Sequence, residues 1–212
     1  MKTNFSNLQL INHALIKKDI TLLRDLSTGT ESFRSAVKRI LIILAVEMSK
    51  NFNLTKIEID TPLEKTEGYK VTQEVVLVPV LRAGLGMVNA FLEIIPDAKV
   101  GHIGIRRDED TLKPIEYYFK TPSNINNSII ILLDPMLATG GSCSAAVKYL
   151  KSKGAVNCIT ACLVAAPEGV TKMENDHQDV KIFCAVLDRE LNSKGYILPG
   201  LGDAGDRTFG TL

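Results

Sequence analysis

Apolar residues in the second half of the chain fall into short runs, and most of these runs are separated by segments with helical spacing. Buried strands are predicted at Val75–Val80, Val100–Ile105, Ile129–Leu133, Ile159–Ala166 and Val180–Val186. Helices are predicted at Gly84–Ile95, Ser142–Ser152 and Glu168–Asn175. This alternation is typical of an α/β fold with a mostly parallel central sheet and helices on both faces.

Two regions depart from the alternation. Residues 5–50 have a helical pattern, which is clearest where apolar residues recur between Phe33 and Met48, so we predict a helical N-terminal region over 1–50. Residues 107–127 contain a charged turn and a short apolar run at Ile115–Phe119. They predict a projecting β-hairpin arm, which either covers a site or contacts a second subunit.

Composition restricts the classes of protein. The 212 residues suit one domain, 1–212. Lys and Arg together number 25 and Asp and Glu 24, so charge predicts no attraction to nucleic acid or to a membrane. Neither a signal peptide nor a run of 18 apolar residues occurs, and we expect a cytoplasmic protein. The four cysteines are predicted to be reduced residues of the core or its edge.

The most informative motif follows the predicted strand at Ile129–Leu133. Ligands of parallel sheets bind beyond the carboxyl ends of the strands, and at this end an acid, Asp134, precedes a loop of small residues and a helix start at Ser142. Gly140 and Gly141 allow main-chain N–H groups to approach an anion, and the helix start adds unpaired donors. We interpret the loop as a phosphate cradle, with Asp134 placed to accept hydrogen bonds from ribose hydroxyls.

The same loop has a simpler interpretation, as an ordinary strand–helix turn capped by Ser142. A nucleotide-binding Walker loop is excluded, because Gly-Lys-Ser/Thr is absent.

A second candidate binding residue is Arg82, which follows the strand Val75–Val80 and precedes Gly84. An arginine there either binds a diphosphate or is a surface residue at a turn, and its position alone favours neither.

A third motif is the glycine-rich segment Tyr196–Arg207. Gly200, Gly202 and Gly205 match the dinucleotide pattern G-x-G-x-x-G, but with Leu212 as the last residue neither the expected helix nor the acid about 20 residues on follows. Such a segment is either a mobile tail or a main-chain wall against a flat ligand. A flat ligand that carries both carbonyl and N–H groups would suit a wall of this kind.

The run Asp134-Pro135-Met136-Leu137-Ala138-Thr139-Gly140-Gly141-Ser142 resembles the donor-binding signature of the type I phosphoribosyltransferases. Pro135, where many relatives carry a second acid, resembles the uracil-specific branch. The run at Arg82-Ala83-Gly84 is similar to the family's diphosphate loop, which often contains a non-proline cis peptide. Arg107 matches the family's second diphosphate-binding arginine, whereas Arg106 is expected to be a solvated charge.

The resemblance also implies roles for the C-terminal residues. It assigns 188–212 to a hood over the base, with contacts to uracil from Ile197, Gly202, Asp203 and Ala204. Asp203 would also act on the donor through Mg²⁺, held mainly by the diphosphate. The whole run 134–142, together with Arg82, Arg107 and Asp203, would bind the donor, with Arg107 and Asp203 as the catalytic pair.

The resemblance implies transfer of 5-phosphoribosyl from its 1-diphosphate to N1 of uracil, giving UMP. Two alternatives stay open: a phosphoribosyltransferase for another base, and a nucleic-acid-binding regulator on the same fold, which the balanced charge disfavours. A homodimer or a higher homo-oligomer is implied. Family members differ in their response to GTP, and no residue of this sequence decides whether GTP is an effector here.

Overall fold

The computed structural model describes residues 5–107 and 114–211, and for Arg107 and Pro114 it describes the backbone alone. Its helices are α1 (Ala14–Arg24), α2 (Thr30–Ser49), α3 (Leu85–Ile94), α4 (Gly141–Ser152), α5 (Pro167–Asp176) and α6 (Ala204–Phe209). The first seven strands are β1 (Leu8–Leu10), β2 (Leu54–Asp60), β3 (Lys65–Val71), β4 (Val75–Leu81), β5 (Lys99–Val100), β6 (His102–Arg107) and β7 (Pro114–Lys120). The others are β8 (Ile129–Leu133), β9 (Met136–Leu137), β10 (Asn157–Ala165), β11 (Lys181–Leu187), β12 (Glu190–Leu191) and β13 (Ile197–Leu198).

The central sheet has the strand order β1-β11-β10-β8-β4-β6-β7, with the short strands β5 and β9 beside β4 and β10. All its pairs are parallel except β6 with β7. The predicted α/β fold with a mostly parallel sheet is therefore confirmed. The carboxyl ends of β4, β6 and β8 are neighbours, which brings the segments after Leu81, Arg107 and Leu133 to one edge.

Helices cover both faces of this sheet, and β8 shows why. Its side chains alternate between the two faces, as in any strand. Ile129, Ile131 and Leu133 belong to the core under α1, α2 and α3, whereas Ile130 and Leu132 belong to the core under α4 and α5. A strand buried on both faces must be apolar throughout, which explains its uninterrupted hydrophobic run.

The N-terminal region is not helical throughout, so that prediction is wrong at residues 8–10. These residues form β1, which pairs in parallel with β11, Leu8 lying opposite Ile182. Their apolar spacing fits one turn of helix as well as a short strand, and the partner strand lies far away in sequence. Pairing with a distant edge is tertiary information that a local pattern does not contain.

The sequence analysis also missed a hairpin, formed by β2 and β3 as a separate two-stranded sheet. Its strands are largely exposed and rich in charge. Cross-strand ion pairs join Lys56 to Glu67 at 3.0 Å and Lys65 to Glu58 at 2.7 Å. Charged residues at these positions hide the apolar alternation by which half-buried strands are usually recognised.

The return strand predicted at Ile115–Phe119 is confirmed, since β7 pairs antiparallel with β6. Its partner β6 lies before the predicted bounds of 107–127 except for its last residue, and both strands belong to the central sheet. The predicted turn between them lies outside the described residues. All four cysteines are buried and unpaired, as predicted. Within the described ranges, no helix is both long enough and apolar enough to cross a membrane.

Candidate active site

The loop between β8 and α4 forms the floor of the site. Asp134 follows the last buried residue of β8, and its Oδ1 accepts a hydrogen bond from Met136 N at 3.2 Å. Gly140 then adopts a left-handed conformation with φ of 76°. A Cβ at Gly140 would lie 2.8 Å from the Gly169 carbonyl oxygen of α5. Glycine therefore allows both the turn and its close packing on α5.

The start of α4 offers hydrogen-bond donors to an anion. Gly140, at the N-cap, has no side chain that could cap the helix. Thr139 Oγ1 accepts only a long hydrogen bond, 3.4 Å, from Gly141 N. Thr139 and Ser142 are exposed, so their hydroxyls can add to the N–H groups of the first turn. Helix N-termini with unpaired N–H groups favour phosphate.

A second loop leaves β4 beside this floor. The peptide bond between Leu81 and Arg82 is cis. A Cβ at Gly84 would lie 2.3 Å from the carbonyl oxygen of Leu133, so glycine is needed for this loop to pass close to the end of β8. The Arg82 side chain is 65% exposed, and its Nη2 lies 3.5 Å from Asp206 Oδ1. Exposed at this edge, Arg82 can turn toward an anionic ligand.

The two loops border a cavity of about 230 Å³, here called the donor cavity. It is lined by Val80, Leu81, Arg82, Ala83, Ile105, Asp134, Met136, Leu137, Ala138, Thr139, Gly140, Gly141, Ser142 and Cys143. Of the predicted donor-binding run, all residues line it except Pro135, which is buried behind the loop. Contact between Pro135 and the donor stays a prediction. The Arg107 side chain lies outside the described structure, and Arg106 is exposed, as expected.

A second cavity, of about 240 Å³, adjoins the first, and is here called the hood cavity. It is lined by Ala83, Met136, Ala138, Gly195, Tyr196, Ile197, Gly202, Asp203, Ala204 and Gly205. All four residues predicted to contact the base are among them. Ala83, Met136 and Ala138 line both cavities, so the two cavities are neighbours.

The hood cavity is walled by the C-terminal segment. The strands β12 and β13 form a small hairpin, after which Gly200 and Gly202 adopt positive φ values of 61° and 80°. Asp203 then caps α6, its Oδ1 accepting from Asp206 N at 2.9 Å. Of the two interpretations of the glycine-rich segment, the structure therefore agrees with the ordered main-chain wall and not with the mobile tail.

Burial perturbs the acid of the donor cavity. Asp134 is half-buried, and desolvation raises the pKa of its carboxyl to about 6, although the hydrogen bond from Met136 N opposes the shift. The carboxylate therefore prefers a ligand that supplies hydrogen-bond donors. Burial likewise raises the pKa of the Cys143 thiol, assisted by the charge of Asp134, so this cysteine is not a nucleophile.

The residues present fit a magnesium ion only if a ligand supplies most of its oxygens. Among the described residues no three His, Cys, Asp or Glu side chains form a metal-binding cluster. Asp203 supplies one exposed carboxylate at the hood cavity. Mg²⁺ is usually held by one or two carboxylates together with substrate phosphates, and this donor set agrees with that pattern.

Two residues that brace the hood were not identified from the sequence, Asp188 and Arg207. Asp188 immediately follows β11, the position at which strand-end acids are expected, and this signal could have found it. Arg207 donates to main-chain carbonyls of both the hood and the segment after α1. The acceptor after α1, the Asp25 carbonyl, is 182 residues away in the chain, and no local pattern indicates it.

Comparisons with known proteins agree with this geometry. A family model described as uracil phosphoribosyltransferase matches residues 10–211. The chain is similar to a uracil phosphoribosyltransferase of Salinibacter ruber, 50% identical over 205 residues, covering 97% of this chain and 98% of the relative. Another, from Malacoplasma penetrans, is 50% identical over 202 residues, covering 95% and 98%.

Solved structures give the same result for the fold. A protein of Aquifex aeolicus aligns with a TM-score of 0.89 and 36% identity over 95% of this chain and 97% of its own. A purine phosphoribosyltransferase of Pyrococcus horikoshii, at 16% identity and a TM-score of 0.50, covers 71% of this chain and 82% of its own, and supports the fold alone. The match over residues 10–211 and the identities of 50% over nearly full length show that the chain belongs to the uracil phosphoribosyltransferase family.

Proposed function

We propose that the protein transfers 5-phosphoribosyl from 5-phospho-α-D-ribose 1-diphosphate to N1 of uracil, giving UMP and diphosphate. Membership of the uracil phosphoribosyltransferase family supports this activity. The observation that carries it is the pair of adjoining cavities, a phosphate cradle and a glycine-rich wall, which share Ala83, Met136 and Ala138. A sugar donor in one cavity and a base in the other would meet at this shared border.

In this proposal the donor binds across the first cavity. Its 5-phosphate accepts hydrogen bonds from the start of α4 and from the hydroxyls of Thr139 and Ser142. The ribose hydroxyls donate to Asp134, which is the only acid lining this cavity in the described part of the chain. Arg82 leaves its long contact with Asp206 and binds the diphosphate of the donor. Arg107 binds the same diphosphate. Positive charge at the leaving group favours its departure.

The base binds in the hood cavity, against the main chain of Gly202–Ala204 and the side chain of Ile197. Main-chain N–H and C=O groups can pair with the carbonyls and N–H groups of uracil. A ring with a different donor and acceptor pattern would leave buried groups unpaired, which costs far more than a missing contact. The hood therefore selects the acceptor, whereas the loop at 134–142 holds the donor.

The reaction forms a bond between N1 of uracil and C1 of ribose and breaks the bond between C1 and the diphosphate oxygen. N1 loses its proton, and positive charge develops on the ribose ring. Asp203 lies at the hood cavity and carries the only carboxylate lining it within the described ranges. It either favours loss of the N1 proton or helps to hold the metal. Mg²⁺, when bound with the diphosphate and Asp203, neutralises charge on the leaving group.

The remaining assignments are proposals that rest on family membership. We propose that residues 1–212 act as one domain, with 188–212 as the hood, that the protein is a cytoplasmic homodimer or larger homo-oligomer, and that GTP is a candidate effector. Assays run with and without GTP address the last point directly.

Turnover of a panel of bases with the same donor tests the proposed acceptor. With Mg²⁺ present, kcat/KM for uracil is expected to exceed that for hypoxanthine, adenine and xanthine by about 10⁴-fold, because the hood would leave buried polar groups unpaired against those rings. Release of diphosphate without added base is the control. Faster turnover with a purine base than with uracil would contradict the proposal.

A further inference from the structure

We infer that Asp188 and Arg207 are positioning residues for uracil, because together they fix the main chain that leads into the base-binding residues 202–204. The inference rests on the proposed contact of uracil with that segment. Neither side chain lines the hood cavity or the donor cavity. Their effect on the reaction would therefore pass through the backbone of the hood.

Asp188 ties the hood to α1 and to the sheet. Its side chain is 3% exposed, and Oδ1 accepts from Arg24 Nη2 at 2.5 Å. Oδ2 accepts from Gly200 N at 2.8 Å, while Asp188 N donates to the Ala165 carbonyl at 2.8 Å. Because both carboxylate oxygens are engaged, the position of Gly200 is set relative to α1 and to the end of β10.

Arg207 holds Leu201, the residue after Gly200. Its Nη1 donates to the Leu201 carbonyl at 2.9 Å and also to the Leu23 carbonyl. Its Nη2 donates to the carbonyls of Asp25 at 2.8 Å and Thr28 at 3.4 Å. The guanidinium also lies 4.5 Å from the centroid of the Phe33 ring. One planar group thus joins the hood to main-chain carbonyls at and beyond the end of α1.

These contacts fix two consecutive residues, Gly200 through its N–H and Leu201 through its carbonyl. Gly202, Asp203 and Ala204 follow immediately. Recognition through main-chain groups requires their directions to be set before uracil binds, since any ordering on binding lowers affinity. The donor loops at 82–84 and 134–142 make none of these hydrogen bonds. Loosening the brace should therefore raise KM for uracil far more than KM for the sugar donor.

The test replaces the buried ion pair by apolar side chains, in the double variant Arg24→Met/Asp188→Leu. Such replacements are often neutral for stability, yet this one removes the acceptor for Gly200 N. We expect KM for uracil to rise about tenfold, which corresponds to about 1.4 kcal/mol. KM for the donor and kcat at saturating uracil should stay within about threefold.

A matched control exists at a second ion pair, which joins α1 to α2. Arg39 and Asp19 form a similar pair with an Asp side chain 2% exposed and an N–O distance of 2.7 Å, but they do not contact the hood. Arg39→Met/Asp19→Leu should leave both KM values unchanged. Asp188→Asn, which keeps an oxygen acceptor for Gly200 N, should retain KM for uracil within about threefold, as expected when a conservative side chain replaces a positioning residue.

Arg207→Lys provides an independent test should the first double variant not fold. A lysine keeps the charge but cannot reach four carbonyls, so KM for uracil should again rise about tenfold with kcat little changed. Unchanged KM for uracil in the folded variants, or an equal rise of both KM values, would overturn the inference. Wild-type protein that does not turn over uracil would refute the proposed function, and the positioning role with it, which distinguishes the two failures.

Discussion

Asp134→Asn should lose about 100-fold in kcat/KM for the sugar donor while the folded protein becomes more stable at neutral pH. The loss follows from removing a charged acceptor for the ribose hydroxyls, a contact of about 2–3 kcal/mol. Steady-state kinetics with varied donor measure it, and unchanged turnover with uracil would refute the role assigned to the 134–142 loop.

The gain in stability follows from the sign of the pKa shift. Burial raises the pKa of Asp134 to about 6, above its ordinary value of 3.8, so the folded protein binds this proton more tightly than the unfolded chain does. Tighter binding of this proton adds to the free energy of unfolding. The contribution is fully present below pH 3.8 and is lost as pH rises through about 6. Asparagine needs no ionisation, so thermal unfolding at pH 7.5 should show a gain of about 1–2 kcal/mol.

The same carboxyl predicts a pH dependence for donor binding. As pH falls through about 6, protonation removes the charge that the ribose hydroxyls meet, so KM for the donor should rise. Asp134→Asn should lose the part of this dependence that comes from the carboxyl and keep only the part that comes from the donor's own phosphates, whose second pKa is also about 6. An identical pH profile in the wild type and the variant would assign the titration to another group.

Gly140→Ala is expected to lower kcat/KM for the donor by about 100-fold or more. The φ of 76° is unfavourable for alanine, and the added Cβ would lie 2.8 Å from the main-chain oxygen of Gly169. The loop must therefore move away from α5, which displaces the N–H groups that would hold the phosphate. Displacements near 1 Å can cost about 100-fold in rate.

Gly154→Ala is the control for this substitution. Gly154 also has a positive φ, 99°, but its nearest contact would be Asn126 Cβ at 3.8 Å, and it lies beyond the opposite end of α4. It should lose about 1 kcal/mol of stability and keep its kinetic constants. A Gly140→Ala protein with normal kinetics, or equal kinetic losses in both variants, would show that the position of the 134–142 loop does not determine donor use.

The local patterns were sufficient for the part of the fold that carries the donor cavity. Strands buried on both faces, such as Ile129–Leu133, are apolar throughout, and the glycines of the following loop indicate a turn with a helix after it. The predicted helix start at Ser142 differs from the observed one by one residue. Asp134 was found because strand ends of parallel sheets collect ligand-binding residues.

The rest depended on contacts between distant parts of the chain. The strand at Leu8–Leu10 exists because β11 offers an edge, and the β2–β3 hairpin is joined by cross-strand ion pairs instead of an apolar face. Pro135 belongs to the motif, yet it is buried and is not among the residues that line the donor cavity. Arg207 acts on main-chain carbonyls, which carry no side-chain signal in the sequence.

The central claim is that donor and base occupy the two adjoining cavities, and the most direct measurement is a crystal structure of the protein with UMP. The phosphate is predicted to lie against the N–H groups of residues 139–142, with the uracil ring within hydrogen-bond distance of the main chain at 202–204. A uracil ring bound elsewhere, such as in the cavity of about 510 Å³ lined by Lys148 and Tyr149, would contradict the account.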